Sequence, residues 1–501
     1  MQHALWHRVY ITNQKDTARA QCRSFPALGH AQASVAGKGV RRMSVFSLSN
    51  LKKTWYYLQK NGIRNAVWAV LERIGQEQEV YTWQEPDEKT LSFQREHSAS
   101  LRISIVVPAY RTKKEHLEAM LNSVSRQSYP HWELIVADAG GTAESVQAWA
   151  KKNGICLREA ADASNLAEWK DQSIVLCTLS ENKGISANTN AGIELAAGDA
   201  VGLLDHDDLL TANALWEMAD CLEKEKKRGK QKLVLFSDED KCDGAASRFY
   251  EPNFKPDFDG ELLLTNNYIC HFTVIETAFL KELKLRSGFD GAQDYDLVLR
   301  AYAAGGQFVH VPKVLYHWRC HEASTASNPQ SKRYAYEAGQ RALEDYCLRK
   351  GWKATVSGLK HLGFYREDYE DSVFCQRPEI GIWAKPLPGG RDVFGIRHPK
   401  GFLVSGLYEN DGSMRYAGLR KGYSGPMHRA ALQQSAPAAD LRSMEVCSAL
   451  KERYAQTIAE LKEACQGLPT AAQETKILQK SMEFCKEATA AGYGILWDPQ
   501  A

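Results

Sequence analysis

Between residues 101 and 240 the chain alternates short apolar runs with segments of helical spacing. "ISIVVPAY" (103–110) is a continuous run rich in β-branched residues, and Thr112 to Gln127 then repeats its apolar positions at helical intervals. "WELIVADA" (132–139) and a helix from Thr142 to about Lys152 follow. After an irregular stretch come "SIVLCTL" (173–179), a helix from about Ile185 to Ala196, "AVGLLDHD" (200–207), a helix from about Ala212 to Lys226, and "LVLFSDED" (233–240). Strands that lack polar alternation are buried on both faces. Their alternation with helices predicts an open, mostly parallel α/β sheet covered by helices on both sides. In such sheets ligands bind beyond the carboxyl ends of the strands.

The flanks differ. Residues 1–42 are basic, nearly free of acids and aperiodic, as expected of a disordered tail or of an extension preceding a true start at Met43. From Leu51 to Ile74 the spacing is helical: Leu51, Trp55 and Leu58 share one face, and Ile63, Val67, Val70 and Ile74 another. Lysines and arginines interleave with Trp55, Tyr56, Tyr57 and Trp68. Two readings stand: a helix lying on an anionic membrane, giving peripheral contact through 43–74, or a helical hairpin packed on the next domain. Residues 75–98 are polar and read as a linker that closes a 43–98 segment. The α/β domain is expected over 99–335, a helical connection over 336–374 and a smaller α/β module over 375–501. That module carries the strand-like "DVFGIRH" and "GFLVSGLY", and helical stretches from about Asp440 to Gly467 and Gln473 to Ala490.

Composition narrows the function. With 44% hydrophobic and 25% charged residues the chain is globular, and 501 residues call for more than one core. Sixty-three basic against 61 acidic residues, net charge +2, gives no basic excess for a nucleic acid. The 12 cysteines lack CxxC pairs and zinc spacing, which fits reduced thiols. No apolar run is long enough to span a bilayer and no cleavable leader is visible, so the expected place is the cytoplasm, including its membrane face.

The chemistry gathers at the strand ends. "GLLDHDDLL" (202–210) drives an apolar strand into Asp205, His206, Asp207 and Asp208. Two carboxylates one residue apart can hold a hard divalent cation through oxygen, and Mg²⁺ keeps positions for substrate phosphates. Asp205 and Asp207 therefore read as metal or ribose ligands, and Asp208 as the cap of the helix that follows. Asp138 can accept a hydrogen bond from a base or ribose, or simply form the turn before Gly140 and Gly141. Asn182 and Gly184 open a helix whose free N–H groups suit phosphate, with Lys183 as added charge. "SDED" (237–240) suggests an acceptor side or a solvated edge, and "NNYICH" (266–271) receives no role from its chemistry.

In order, "VVPAY", "ELIVADAG", "ENKGISANTNAG", "LLDHDD" and "GAQDYDLVLRA" (291–301) resemble the family 2 glycosyltransferases over about residues 103–335. The likeness is to bacterial surface-polysaccharide enzymes of the rhamnosyltransferase kind. It implies the GT-A fold, with Pro108, Ala109 and Tyr110 lining a base pocket and Asp138 reading a uracil or thymine ring. Asp205 would lie against the ribose, Asp207 would bind Mg²⁺ or Mn²⁺, and Asp294 would be the general base of an inverting transfer. Asp296 is then a capping or pairing residue. In the loop expected after the last strand, "VLYHWRCHEAST" (314–325), His321 would complete the metal shell, with His317 second. Three departures stand out: Gln293 where the family has Glu, Arg111 where many members carry Asn, and Thr189 where many carry Arg. The C-terminal "YENDGSMRYAGLRKGYSGPMHRA" and "SMEFCKEATAAGYGILWDP" resemble a second module of the same family. It lacks a DxD strand and has Met482 and Glu483 where acids are expected, so it reads as degenerate and non-catalytic. The implied partners are a nucleotide-sugar donor and a glycan or lipid-linked acceptor. The competing readings are a nucleotidyltransferase and a non-catalytic nucleotide-sugar scaffold.

Overall fold

The computed structural model describes residues 81–160, 169–320, 333–358 and 363–370, with shorter pieces between 372 and 497. In chain order, helix α1 (Glu88–Glu96) leads into β1 (Ile103–Ala109), α2 (Lys114–Ser125), β2 (Trp132–Asp138), α3 (Ala143–Asn153), β3 (Cys156–Ala160), β4 (Ser173–Thr178), α4 (Ile185–Leu195) and β5 (Ala200–Leu203). There follow β6 (Leu209–Leu210), α5 (Ala214–Lys227), β7 (Leu233–Asp243), β8 (Phe249–Asn253), α6 (Gly260–Thr265), β9 (Thr273–Glu276), α7 (Thr277–Leu283), α8 (Gln293–Ala303) and β10 (Gln307–Cys320). Then come α9 (Arg333–Arg349), β11 (Ala354–Gly358), β12 (Tyr365–Tyr369) and α10 (Val373–Gln376).

The sheet order is β3-β4-β2-β1-β5-β9-β7-β10-β6, with β8 beside β7. β1 runs parallel to both β2 and β5, and β10 is parallel to β7, while β9 is antiparallel to its neighbours β5 and β7. The α/β class and the mostly parallel sheet are thus those expected from the apolar runs. The chain builds outward from β1 through β2 and β4, then returns to add β5 on the other side. This reversal makes the carboxyl ends of β1 and β5 a topological switch point, where such sheets bind ligands.

One face of the sheet buries Leu117, Met120 and Val124 of α2, Val146 of α3 and Leu215, Met218 and Leu222 of α5. The other buries Ile193 of α4, Phe279 and Leu280 of α7 and Leu297 and Ala301 of α8. At Gly192 a Cβ would stand 2.7 Å from Val106 Cγ1, so the missing side chain is what seats α4 directly on β1.

Several expectations are corrected. The irregular stretch after α3 contains the edge strand β3, whose Glu159 and Arg158 hid it from an apolar reading. Residues 88–96, expected as linker, form α1: Asp87 caps it by accepting from Thr90 N–H at 2.8 Å, and Leu91 and Gln94 are buried. Tyr81 and Trp83, also in that stretch, pack on the sheet edge through Asp240 and His317. Residues 314–320, expected as loop, are the second half of β10, paired with β7 as far as Cys320. At the C-terminus, "GYGILWDP" contains the expected strand, β16 (Gly494–Trp497), which joins β13 (Ile380–Ala384), β14 (Gly406–Leu407) and β15 (Met444–Val446) in order β14-β16-β13-β15. Helices α11 (Ser448–Arg453) and α12 (Ala455–Ala464) fall in the first helical stretch. Residues 1–74, "DVFGIRH", Met482 and Glu483 lie outside the described residues. Among the described residues no helix is long and apolar enough to cross a membrane.

Arg377, just past α10, ties the segment after β10 back to the sheet domain. Its guanidinium donates to both Glu261 oxygens, at 2.7 and 2.6 Å, and lies over the Trp352 ring at 4.9 Å. Both partners are almost wholly buried, so removing one strands the other's charge in a medium that solvates it poorly. Glu261→Ala should cost about 3–5 kcal/mol of stability, read from chemical denaturation; a loss below about 1 kcal/mol would place the pair among surface-type bridges. Beside it, burial followed by the Glu261 charge pushes the Glu367 carboxyl from its ordinary 4.5 up to about 8. Its Oε1 has no hydrogen-bond partner among the described residues. The folded chain therefore holds a proton that the unfolded chain releases, so Glu367 lowers stability as pH rises from about 4.5 to about 8. Glu367→Gln should flatten that part of the stability–pH curve and raise the melting temperature at pH 8. An unchanged slope would contradict the assignment.

Candidate active site

β5 ends at Leu203, so Asp205, His206 and Asp207 stand on the turn just beyond it, at the reversal of strand order. Asp208 turns inward. Its carboxylate accepts the Tyr316 hydroxyl at 2.5 Å and the Arg319 backbone N–H at 2.6 Å. It therefore does not cap the following helix, which begins at Ala214 behind Asn213. Its place is a grouping with Asp205 and His271: one ligand atom from each lies within 4.8 Å of the others. Burial, then the charges of Asp207 and Asp205, push the Asp208 carboxyl well above its ordinary value. Asp205 is also raised, by burial, with the His271 imidazole working against the shift and Asp207 and Asp294 adding to it. Two carboxylates and an imidazole brought this close together form a donor set suited to a divalent cation. Nearby, His206 Nδ1 is buried and lacks a partner among the described residues.

His271 comes from the stretch to which the sequence gave no role. Its ring lies against Tyr316, centroids 4.8 Å apart. Its backbone is held from below: the His271 N–H donates to Glu239, and buried Lys255 donates to the carbonyls of Ile269, at 2.8 Å, and His271. Glu239 itself sits 3.6 Å from the Lys255 ammonium. The acids of "SDED" are thus buried and partnered rather than solvated. Asp238 accepts the Lys255 N–H at 2.9 Å and the His310 imidazole at 2.9 Å, and Asp240 holds Tyr81 and His317.

Asp294 stands in the first turn of α8, one helix away from β9. It is not the cap, which is Ala292. Its Oδ2 accepts from Asn267 Nδ2 at 2.9 Å and its Oδ1 from the Tyr295 N–H at 2.9 Å. Its charge adds to the upward shift of the Asp205 carboxyl, which puts it near the acidic tip of β5. Asp296 is the buried partner of Arg286 and Arg300, the pairing role expected of it.

At the carboxyl end of β1, Ala109 is buried and Tyr110 is exposed, with the Arg111 guanidinium 5.0 Å above its ring. Asp138 takes the second of its two expected roles. Its carboxylate accepts the N–H groups of Gly140 at 3.0 Å, Thr142 at 3.3 Å and Ala143 at 2.9 Å, closing the turn into α3.

Residues 104–283 match the model of glycosyl transferase family 2. The chain carries a family 2 glycosyltransferase domain. Over 255 residues it is 36% identical to an uncharacterized protein of Sinorhizobium fredii, covering 50% of this chain and 26% of that one. It is 34% identical over 256 residues to the O-antigen biosynthesis protein RfbC of Myxococcus xanthus, covering 51% of this chain and 19% of that protein. The chain thus spans about a quarter or less of the length of these curated relatives. Among solved structures, S. aureus TarS 1–349 in complex with UDP aligns with a TM-score of 0.36 and 18% identity, over 50% of this chain and 66% of that one.

Within the transferase domain, some residues chosen from sequence sit elsewhere than expected. Asp207 is adjacent to, not within, the Asp205–Asp208–His271 grouping; its carbonyl receives the Arg319 Nε. His317 is buried and bound to Asp240 at 2.5 Å, under the ring of Trp83, which removes it from the metal shell. His321 lies outside the described residues. Lys183 is exposed and paired with Glu181 at 3.1 Å. The N-terminus of α4, expected to face phosphate, meets a carboxylate of its own chain: Asp290 Oδ1 accepts the Ser186 N–H at 3.3 Å. Gly184, at φ +94°, admits that side chain, since a Cβ there would fall 2.3 Å from Asp290 Oδ2. Asn267, Lys255 and His271 are the site residues that strand-end reasoning missed. They lie outside the strands and helices, where no run of apolar residues points to an edge.

Proposed function

We propose that this chain transfers a sugar from a UDP- or dTDP-linked donor to a hydroxyl of a growing surface glycan or lipid-linked acceptor, with inversion at the anomeric carbon. The observation that carries this reading is the Asp205–Asp208–His271 grouping just past β5 in a domain matching family 2, with Asp294 close enough for its charge to act on Asp205. The likeness to an O-antigen biosynthesis protein supports a polysaccharide acceptor. Pro108, Ala109 and Tyr110, at the end of β1, line the base side of the site, and Asp205 lies toward the ribose and diphosphate. Asp205, Asp208 and His271 would hold Mn²⁺ or Mg²⁺, with Asp207 beside them; such an ion, when bound, neutralises charge on a departing diphosphate.

The chain's own residues supply the rest. Asp294, partly exposed and held by two donors, accepts the proton of the acceptor hydroxyl as its oxygen bonds to the anomeric carbon. The bond from that carbon to the diphosphate breaks on the opposite face, and its electron pair leaves with the nucleotide. A panel of nucleotide sugars with Mg²⁺ or Mn²⁺ and an extract of bacterial lipids and glycans as acceptor tests the reading. Release of free UDP or dTDP is expected. Pyrophosphate formed from a sugar 1-phosphate and a nucleoside triphosphate would indicate a nucleotidyltransferase instead, and donor binding without turnover a scaffold.

A further inference from the structure

We propose that Asn267 is a positioning residue of the transfer: its amide nitrogen fixes the plane of Asp294, and its amide oxygen receives the acceptor hydroxyl next to the one that attacks. The inference rests on Asp294 being the base, as argued above.

Asn267 begins the segment that leaves α6 and runs past the site to His271. Its Nδ2 donates to Asp294 Oδ2 at 2.9 Å, and the Tyr295 N–H donates to Asp294 Oδ1 at 2.9 Å. With one donor on each oxygen, the carboxylate cannot rotate without breaking a bond. The amide can face only one way, because turned over it would set its oxygen against the carboxylate.

The same orientation leaves Asn267 Oδ1 buried and without a partner among the described residues. A buried amide oxygen without a donor is uncommon in native folds and calls for an explanation. It sits on the group that holds the base, so a donor arriving with the acceptor satisfies it. A sugar ring offers such a donor: with two adjacent hydroxyls, one gives its proton to Asp294 while its neighbour bonds to Oδ1. Segment 266–271 is itself held in register by Lys255, which binds the Ile269 and His271 carbonyls.

Asn267→Ala, Asn267→Ser and Asn267→Asp in the full chain test the proposal. The probes are UDP for binding and, for turnover, the most active nucleotide sugar of the panel. UDP affinity should stay within twofold of the parent. Transfer to the acceptor extract should fall at least tenfold in kcat with the donor KM unchanged. Hydrolysis of the donor, in which water brings no neighbouring hydroxyl, should fall less. Asn267→Asp should be weakest at pH 8 and recover toward pH 5.5, because a protonated carboxyl again donates to Asp294. Besides Asn267, the groups facing Asp294 are the Cys270 thiol, Asp205 and Tyr365, all unchanged in these variants. Parent-like transfer and an unshifted pH profile would overturn the inference, as would loss of UDP binding in step with transfer. Asp294→Asn separates the two claims: if it transfers normally, the base assignment fails. If it is inactive while the Asn267 variants behave like the parent, only the present inference fails.

Discussion

Asp294→Asn should bind the donor nucleotide as the parent does and transfer sugar about 10²–10⁴-fold more slowly. The substitution keeps the shape of the side chain and removes only its capacity to take a proton. Asp294 contributes little to the fold that an amide could not replace: it is not the cap of α8, and its partners are Asn267, its own neighbour Tyr295 and the Cys270 thiol. The buried acid two residues on, Asp296, would behave differently. Paired to Arg286 and Arg300, it should lose stability when changed, before any effect on chemistry. A variant Asp294→Asn with normal turnover would remove the base from the account.

Asp205→Asn should lower metal-dependent turnover on the order of 100-fold or more, since it deletes a charged oxygen from a three-ligand grouping. Asp207→Asn, the change singled out by the sequence alone, should also lose metal-dependent activity, but by a smaller factor. Its charge raises both Asp205 and Asp208 without its carboxylate joining the grouping. A larger loss at Asp207 than at Asp205 would return the cation to the residue the family resemblance implies. Activity against the donor with and without added Mn²⁺, after chelation, measures both. Asp208→Asn is the poorer probe, because its carboxylate also secures Tyr316 and Arg319.

What could be read from the sequence follows from where apolar burial is simple. β1, β2, β4, β5 and β7 are covered on both sides, so Ile103 to Val107 or Leu233 to Phe236 announce themselves as uninterrupted runs. With helices between them, the sheet and its carboxyl edge followed, and Asp205 with it, whereas Asp294 came only from the family resemblance. Edge strand β3 and helix α1 were hidden because each buries only a few side chains: Ala160 in the one, Leu91 and Gln94 in the other. The acids of β7, expected as an acceptor side or a solvated edge, are buried, and their burial was hidden for a different reason. Their partners, Lys255, His310, His317 and Tyr81, come from distant parts of the chain, and pairing over such separations leaves no local pattern. The same holds for His271, which meets Asp205 and Asp208 only because β9 runs antiparallel beside β5. Asp138 shows the opposite case, in which a local rule, Asp before Gly-Gly, describes its contacts within the chain.

Mn²⁺ binding in the presence of UDP, followed by electron paramagnetic resonance, tests the proposed cation site at the carboxylates just past β5 without any acceptor. The parent chain should bind one Mn²⁺, and Asp205→Asn and His271→Ala should each weaken it at least tenfold while remaining folded. Equal Mn²⁺ affinity in the parent, Asp205→Asn, Asp207→Asn and His271→Ala would contradict it.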